Sequence, residues 1–178
     1  MRDYTKNRIL QAFNKLIIHN EFNEITVEMI LAESKVSKST FYRYFKDKYD
    51  VMNYNYKIRL DSYSDNKTFK NWKDVIENLY SSIQENTIRI HKSFKYFGES
   101  SYYEFLYYYS IEVITRKTLK TLNKNELTKG ELFQISHFCS GMVWVTKEWE
   151  SGYWELTPNE AAEYLYQQMP EFTKKEWL

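Results

Sequence analysis

The sequence predicts an all-α protein in which a three-helix N-terminal domain precedes a larger helical domain. Three observations favour this fold class. The 178 residues include only four Gly and two Pro, too few for the many tight turns of a β-sandwich or barrel. Apolar residues recur at helical spacing, as residues 5–19 illustrate. Patterns typical of helix N-termini recur along the chain, and no segment has the alternation of a convincing strand.

The periodicity and the capping signals divide the chain into eight or nine helices. We expect helices over residues 5–19, 27–34, 38–45, 48–60, 72–97, 101–122, 129–152 and 158–169. Thr26 and Ser37 are N-cap candidates, and Asp47 can cap the helix that follows it. Capping boxes open three later helices at Ser101-x-x-Glu104, Thr128-x-x-Glu131 and Thr157-Pro158-x-Glu160. Residues 62–71 are polar and predict a linker, and Gly98 predicts a helix end.

Composition excludes several classes of function. The net charge of +1 excludes a uniformly basic nucleic-acid coat protein. The single cysteine, Cys139, excludes an intramolecular disulfide, and no run of about 18 apolar residues predicts a membrane span. We therefore expect a soluble, cytoplasmic protein. No His or Cys stands at a metal-ligand spacing and no Gly-rich phosphate loop occurs, so we expect no metal, no cofactor and no enzymatic activity.

The most informative segment is residues 26–48, where two short helices joined by a tight turn follow a longer amphipathic helix. In this helix-turn-helix arrangement the second helix can enter the DNA major groove. Val36, Phe41 and Phe45 can face the core. The side chains left to face outward can all donate hydrogen bonds to phosphates or base edges, and they are Lys38, Ser39, Thr40, Tyr42, Arg43 and Tyr44. Residues 35–48 hold five Lys or Arg and one acidic residue, which concentrates positive charge at this motif.

Residues 5–60 resemble the DNA-binding domain of the tetracycline-repressor family of transcriptional regulators. The most specific part is residues 36–48, which follow the family's order of valine, serine, a variable run, an apolar residue, tyrosine, phenylalanine and lysine. The resemblance implies an all-helical homodimer with a DNA-binding domain over residues 1–48 and an effector-binding and dimerisation domain over residues 49–178. It further implies phosphate contacts for Thr26 and Lys48, an N-cap role for Ser37, base-edge contacts for Lys38, Ser39 and Thr40, and DNA-backbone contacts for Tyr42, Arg43 and Tyr44.

The chain departs from the family pattern at two positions. Lys35 stands in the turn where most members have Gly, and Tyr44 stands where His is frequent. A lysine at positive φ costs on the order of 1 kcal/mol relative to glycine. Either the turn differs slightly here, or Lys35 supplies a phosphate contact.

The C-terminal part predicts dimerisation. Residues 138–163 contain Gly141, Trp149, Gly152 and the Thr157-Pro158 helix start. With these residues the segment resembles, more weakly, a subgroup of small regulators related to the activator of dihydroxyacetone kinase operons. The helix over 129–152 is apolar on two sides, which indicates a position between two partners. We expect a dimer interface formed by Leu132, Ile135, Cys139, Met142, Val143, Ala161 and Leu165. A second stripe contains Phe133, His137, Gly141 and Trp144, and small residues beside it would permit close approach. The alternative is that both stripes belong to the core of one subunit.

Aromatic residues make up 19% of the chain, including 17 Tyr. Rings of this kind can fill a core, build an interface or line a pocket. We expect a pocket within residues 72–150 for a small apolar or aromatic effector, lined by Tyr80, Gln84, Tyr103, Tyr107, His137 and Trp144. The alternative is that the tyrosines are simply packed or half-exposed.

The leading hypothesis is a dimeric repressor that binds a palindromic double-stranded operator and leaves it when a small ligand binds. The first alternative is a ligand-independent regulator or activator whose C-terminal domain binds a protein partner. The second is a helical enzyme or scaffold that uses the helix-turn-helix for protein contact.

Overall fold

A computed structural model describes residues 2–64, 69–85 and 101–175 of the chain. They form eight α-helices and no strand, which confirms the predicted fold class. The helices are α1 (Arg2–His19), α2 (Val27–Ser34), α3 (Lys38–Tyr42), α4 (Lys48–Ser64), α5 (Trp72–Glu85), α6 (Tyr102–Leu122), α7 (Lys129–Glu150) and α8 (Pro158–Gln168). Short 3₁₀ turns cover Phe22–Glu24 and Glu171–Thr173.

Local capping signals account for most helix starts. The Thr128 and Thr157 capping boxes are both present, with each threonine side chain accepting from the backbone N–H three residues later. The Asp47 carboxylate accepts from the backbone N–H of Asp50 at 2.8 Å. A capping hydrogen bond joins residues only three positions apart, so these helix starts could be predicted from the sequence.

Two predicted helix ends were wrong. The third helix ends at Tyr42 rather than at Phe45, because the chain tightens there and both Tyr44 and Phe45 donate to the Phe41 carbonyl before Asp47 caps α4. Helix α4 continues to Ser64 instead of giving way to a linker at residue 62. Tyr63 lines an apolar cavity with residues of other helices, and this tertiary contact overrides the polar composition. Residues 65–68 of the predicted linker, the predicted helix over 86–97 and its end at Gly98 lie outside the described residues.

The described residues fall into two compact units. The first contains the residues up to Arg59 together with residues 101 and 102, and the second contains those from Leu60 onward apart from these two. The expected division into functional domains at residue 48 stays a prediction.

An aromatic core holds the first unit together. Phe22 lies edge-on between Phe13 and Tyr49, with ring centroids 6.3 and 5.3 Å away. Helices α1 and α4 are also joined by reciprocal amide hydrogen bonds between Asn14 and Asn55, at 2.9 and 3.3 Å. These contacts fix the frame against which α2 and α3 pack.

In the second unit, α5 packs against α8. Ala161, Ala162 and Leu165 of α8 are buried there, and Lys73 of α5 pairs with Glu163 at 2.7 Å. Helix α5 also meets α7, where the Tyr80 and Trp149 rings lie 4.7 Å apart. None of the described helices has the length and apolar character that a membrane crossing requires.

Candidate functional site

Helices α2 and α3 both begin at a residue whose side chain caps the helix. The Thr26 hydroxyl accepts from the Met29 N–H at 3.2 Å, and the Ser37 hydroxyl accepts from the Thr40 N–H at 3.3 Å. Between them, Lys35 adopts a left-handed conformation with φ 54° and ψ 34°. The turn therefore keeps the backbone shape that favours glycine, although a lysine occupies it.

The segment from Val36 to Phe45, which contains α3, divides into a buried and an exposed face, as the sequence predicted. Phe41 and Phe45 are buried, and Val36 is half-buried. On the other face, Lys38, Ser39, Tyr42 and Arg43 are exposed, while Thr40 and Tyr44 are half-buried. The structure thus places cationic and hydroxyl groups together on one surface of a short helix.

The hydroxyl groups at the start of α3 contact one another. The Ser37 hydroxyl donates to the Thr40 Oγ1 at 2.9 Å and lies 3.2 Å from the Ser39 Oγ. Each hydroxyl offers one donor and two acceptor positions. The cluster can therefore exchange one internal bond for a base or phosphate contact without leaving the cap unmade. Beyond it, the Arg43 guanidinium lies 5.2 Å from the centre of the Tyr44 ring.

Lys48 has a different environment from the one the sequence predicted. Its ammonium donates to the carbonyl oxygens of Phe22, Asn23 and Ile25 at 2.9, 3.1 and 2.9 Å. An ammonium has three donors, so all of them are used on the segment that leads into α2. Partial burial lowers the pKa of Lys48. A phosphate contact by this residue stays a prediction, and it would require one of these bonds to be exchanged.

The sequence did not single out Arg8, which the structure places beside the same motif. Its guanidinium Nη2 donates to the carbonyl oxygens of Ser34 and Lys35 at 2.6 and 3.3 Å. The only local signal was a basic residue just before the apolar face of α1. The partners lie 26 and 27 residues away, beyond the reach of pattern arguments.

The six residues predicted to line an effector pocket are not gathered at one site. Tyr80 and Tyr103 both meet α7, where their hydroxyls contact the Thr146 hydroxyl at 2.8 Å and the Glu150 carboxylate at 3.2 Å. Burial raises the pKa of both Tyr80 and Glu150, that of Glu150 to about 8. The remaining residues are on or near the surface: Gln84, His137 and Trp144 are exposed, and Tyr107 is half-buried.

The second unit instead contains an apolar cavity of about 60 Å³ at another place. It is lined by Leu60, Tyr63, Trp72, Val75, Ile76, Leu79, Leu106, Tyr109, Ser110, Val113, Ile114, Phe138, Met142 and Met169. None of these is charged, and the Tyr109 hydroxyl is already bonded to the Asp61 carboxylate at 2.7 Å. The cavity suits an apolar group and offers little to an ionic one. None of the six predicted residues lines it.

Most residues predicted for the dimer interface lie in the core of the second unit. Ile135, Cys139, Met142, Ala161 and Leu165 are buried there, whereas Val143 is half-buried and Leu132 is 39% exposed. The other stripe of α7 is the open one, with Phe133 71% and Trp144 59% exposed. The sequence identified both stripes of α7 and predicted the interface on the stripe that the structure places mainly in the core.

The open stripe ends in a pair of tryptophans held by one carboxylate. Glu148 accepts from the Trp144 Nε1 at 3.1 Å and from the Trp154 Nε1 at 2.9 Å, through different oxygens. The Lys147 ammonium lies 4.3 Å from the centre of the Trp144 ring. The exposed indoles are therefore fixed in orientation. Within the described residues, no group of three or more His, Cys, Asp or Glu is placed to hold a metal ion.

Comparison with known proteins agrees with this geometry. Residues 9–54 match the family described as bacterial regulatory proteins, tetR family. The HTH-type dhaKLM operon transcriptional activator DhaS of Lactococcus lactis subsp. lactis (strain IL1403) is 26% identical over 91 residues. The matched region is 51% of this chain and 49% of that protein, so it spans about half the length of the relative.

Two solved structures share the fold over nearly the whole chain. The dihydroxyacetone kinase operon activator DhaS superposes with a TM-score of 0.59 at 18% identity, covering 92% of this chain and 91% of that one. A TetR transcriptional regulator from Streptococcus agalactiae 2603V superposes with a TM-score of 0.64 at 16% identity, covering 94% and 95%. The chain is therefore similar to the tetR family of bacterial regulatory proteins over residues 9–54, and it resembles DhaS over about half of its length.

Proposed function

We propose that this chain is a sequence-specific DNA-binding transcriptional regulator of the cytoplasm, and not an enzyme. The observation that supports the proposal most directly is the outward face of α3, which presents Lys38, Ser39, Tyr42 and Arg43 from a capped helix-turn-helix. Cations on such a face supply affinity for phosphates, and hydroxyl and ammonium groups read base edges. The family match over residues 9–54 supports the same function.

The position of each side chain along α3 supports a division of roles. Residues at the N-terminal end of a recognition helix contact base edges, while later ones lie near the DNA backbone. We therefore assign base contacts to Lys38, Ser39 and Thr40, and phosphate contacts to Thr26, Lys35, Tyr42, Arg43 and Tyr44. Ser37 keeps its cap, and Lys48 acts chiefly through the turn to which it is bonded.

The regulator acts as a homodimer in this proposal. One helix-turn-helix reads only a few base pairs, so useful specificity requires two half-sites about 34–36 Å apart, or a multiple of that, on a palindromic operator. The open stripe of α7 is the surface we propose for the partner subunit. Gly141 lies on it, and a Cβ there would meet no atom within 4 Å. Nothing within the described chain requires a glycine at this helical position, whereas a second helix approaching closely would.

An apolar effector bound in the cavity between α4, α5, α6 and α7 would control DNA binding. A ligand shifts an equilibrium only through its different affinities for two states, and a coupling of about 1–3 kcal/mol would loosen operator binding about 5- to 150-fold. In the leading form of the proposal the protein is a repressor that the effector releases.

The second candidate is an activator whose C-terminal part binds a protein partner. Two observations favour it: the relatives DhaS are named as activators, and the fixed indoles of Trp144 and Trp154 are 59% and 42% exposed. Ordered, exposed tryptophans are frequent hot spots of protein interfaces.

The proposed DNA binding is tested with a duplex that the wild-type chain selects from a randomised pool. Thr40→Ala should relax selection at one base position and cost about 1–3 kcal/mol there. Arg43→Gln should weaken all sequences alike and lower the slope of log affinity against log salt by about 0.9. Lys129→Met, at an exposed lysine outside the motif, is the matched control and should change neither. Failure of the wild-type chain to enrich any duplex would overturn the proposal.

A further inference from the structure

We propose that Arg8 is a positioning residue for the recognition helix, on which it acts by holding Lys35 in the left-handed conformation. Its effect on DNA rests on the binding function proposed above. Arg8 lies on α1, outside the helix-turn-helix itself, and its contacts are with backbone atoms of the turn.

The hydrogen bonds from Arg8 satisfy backbone carbonyl groups that have no partner within α2. The last four carbonyls of an α-helix have no partner within the helix, and α2 ends at Ser34. The Arg8 guanidinium donates to the Ser34 carbonyl at 2.6 Å and reaches the Lys35 carbonyl at 3.3 Å. A cation at a helix C-terminus also interacts favourably with the helix dipole. Ser34 is 4% exposed, so water has little access to its carbonyl, whereas the bond to the Lys35 carbonyl is exposed.

The turn to which Arg8 is hydrogen-bonded determines the direction of α3. Lys35 has φ 54°, a conformation that a residue with a side chain adopts reluctantly. Only Val36 separates Lys35 from Ser37, the N-cap of α3. If Lys35 relaxed to negative φ, the chain would enter α3 at a different angle and the outward face of α3 would move. The two carbonyls held by Arg8 flank the dihedral angles that must stay in place.

A salt bridge between the same two helices provides an internal control. The Lys15 ammonium on α1 lies 2.7 Å from the Glu33 carboxylate on α2. This pair joins α1 to α2 as Arg8 does, but it makes no bond to the carbonyls of the turn. A general weakening of the packing between α1 and α2 should therefore affect Lys15 variants as well as Arg8 variants, and an effect specific to the turn should not.

The test is a double-mutant cycle between Arg8→Met and Lys35→Gly, measured on the duplex selected by the wild-type chain. Arg8→Met alone should weaken binding about tenfold, which corresponds to about 1.4 kcal/mol. In the Lys35→Gly background glycine accepts the left-handed conformation unaided, and the same change should weaken binding by about threefold or less. The cycle also subtracts the effect of any direct bond between the Lys35 ammonium and DNA. Arg8→Lys, which retains a cation, should recover part of the affinity.

The controls separate the possible outcomes. Lys15→Met should bind as the wild type in both backgrounds. The salt slope should not change in Arg8→Met if Arg8 acts through the turn rather than on a phosphate. An equal loss of affinity from Arg8→Met in both backgrounds, or a slope lower by about 0.9, would overturn the proposal. Should the wild type select no duplex, the DNA-binding function fails, but the same cycle in the free energy of unfolding still tests whether Arg8 stabilises the turn through Lys35.

Discussion

Replacing Lys48 by methionine tests whether this lysine supports the fold or the DNA contact. Methionine keeps most of the apolar stem and removes the ammonium. The three carbonyls of Phe22, Asn23 and Ile25 then lose their common donor. The segment they belong to leads directly into Thr26, the N-cap of α2, so the perturbation reaches the start of the helix-turn-helix.

The magnitude follows from how far each bond is shielded from water. The bonds to Phe22 and Ile25 are partly buried, and the bond to Asn23 is exposed. A hydrogen bond to a charged group contributes about 1.5–3 kcal/mol, and water can replace part of that at a half-buried site. We expect Lys48→Met to lower the free energy of unfolding by about 2 kcal/mol. For a chain of this size such a loss lowers Tm by about 4–8 °C.

The assay combines urea unfolding with a salt titration of DNA affinity. Lys46→Met is the matched control, because Lys46 is an exposed lysine two residues earlier whose ammonium makes no hydrogen bond to the described residues. Lys48→Met should be less stable than this control and bind DNA more weakly, with the salt slope unchanged. A stability within about 0.5 kcal/mol of the wild type, together with a slope lower by about 0.9, would refute the reasoning and restore Lys48 to the phosphate contacts.

Three further predictions concern the second unit. Trp144→Glu should shift sedimentation from dimer to monomer while leaving the helical circular dichroism intact, whereas Leu165→Glu, which inserts a charge into the core, should lower the helical signal itself. Burial raises the pKa of Glu150 to about 8, so the folded carboxyl retains a proton that the unfolded chain has already released. Stability should therefore fall as pH rises from about 4.5 to about 8; Glu150→Gln should flatten this fall in pH-dependent urea unfolding, and Glu155→Gln, at an exposed carboxyl, should not. Tyr80→Phe should lower the free energy of unfolding by about 1 kcal/mol and Tm by about 2–4 °C in a thermal scan. The loss is limited because the Thr146 hydroxyl still donates to the Met142 carbonyl. An unchanged Tm would show that the hydrogen bond of the Tyr80 hydroxyl does not stabilise the fold.

The parts of the fold that the sequence predicted are those determined by near neighbours. Thr26 and Ser37 cap their helices because a hydroxyl reaches a backbone N–H three residues away, whatever the rest of the chain does. The buried and exposed faces of the segment from Val36 to Phe45 follow in the same way from the helical spacing of its apolar residues. Phe41 and Phe45 are then buried, and Lys38 is left outside.

The parts that the sequence could not predict depend on which helix lies opposite. Cys139 and Trp144 are both on apolar stripes of α7, yet the first is buried and the second exposed, and only the placement of α5, α6 and α8 decides between them. The cavity is lined largely by aliphatic residues such as Val113 and Ile114. The aromatic content of the chain therefore predicted a pocket at other residues. The carbonyl groups that bind Lys48 could not be predicted either, because every residue has a backbone carbonyl and the sequence does not distinguish among them.

Because the single cysteine is buried, the reactivity of its thiol can report local unfolding of the second unit. Burial raises the pKa of the Cys139 thiol to about 12, and the thiolate is the form that reacts with disulfide reagents. In the folded second unit the thiol is therefore shielded twice, by packing and by protonation. Its labelling rate measures how often α7 separates from its neighbours. A cysteine introduced on the surface of α3 would react first, so a dye could mark the recognition helix while Cys139 stays unlabelled.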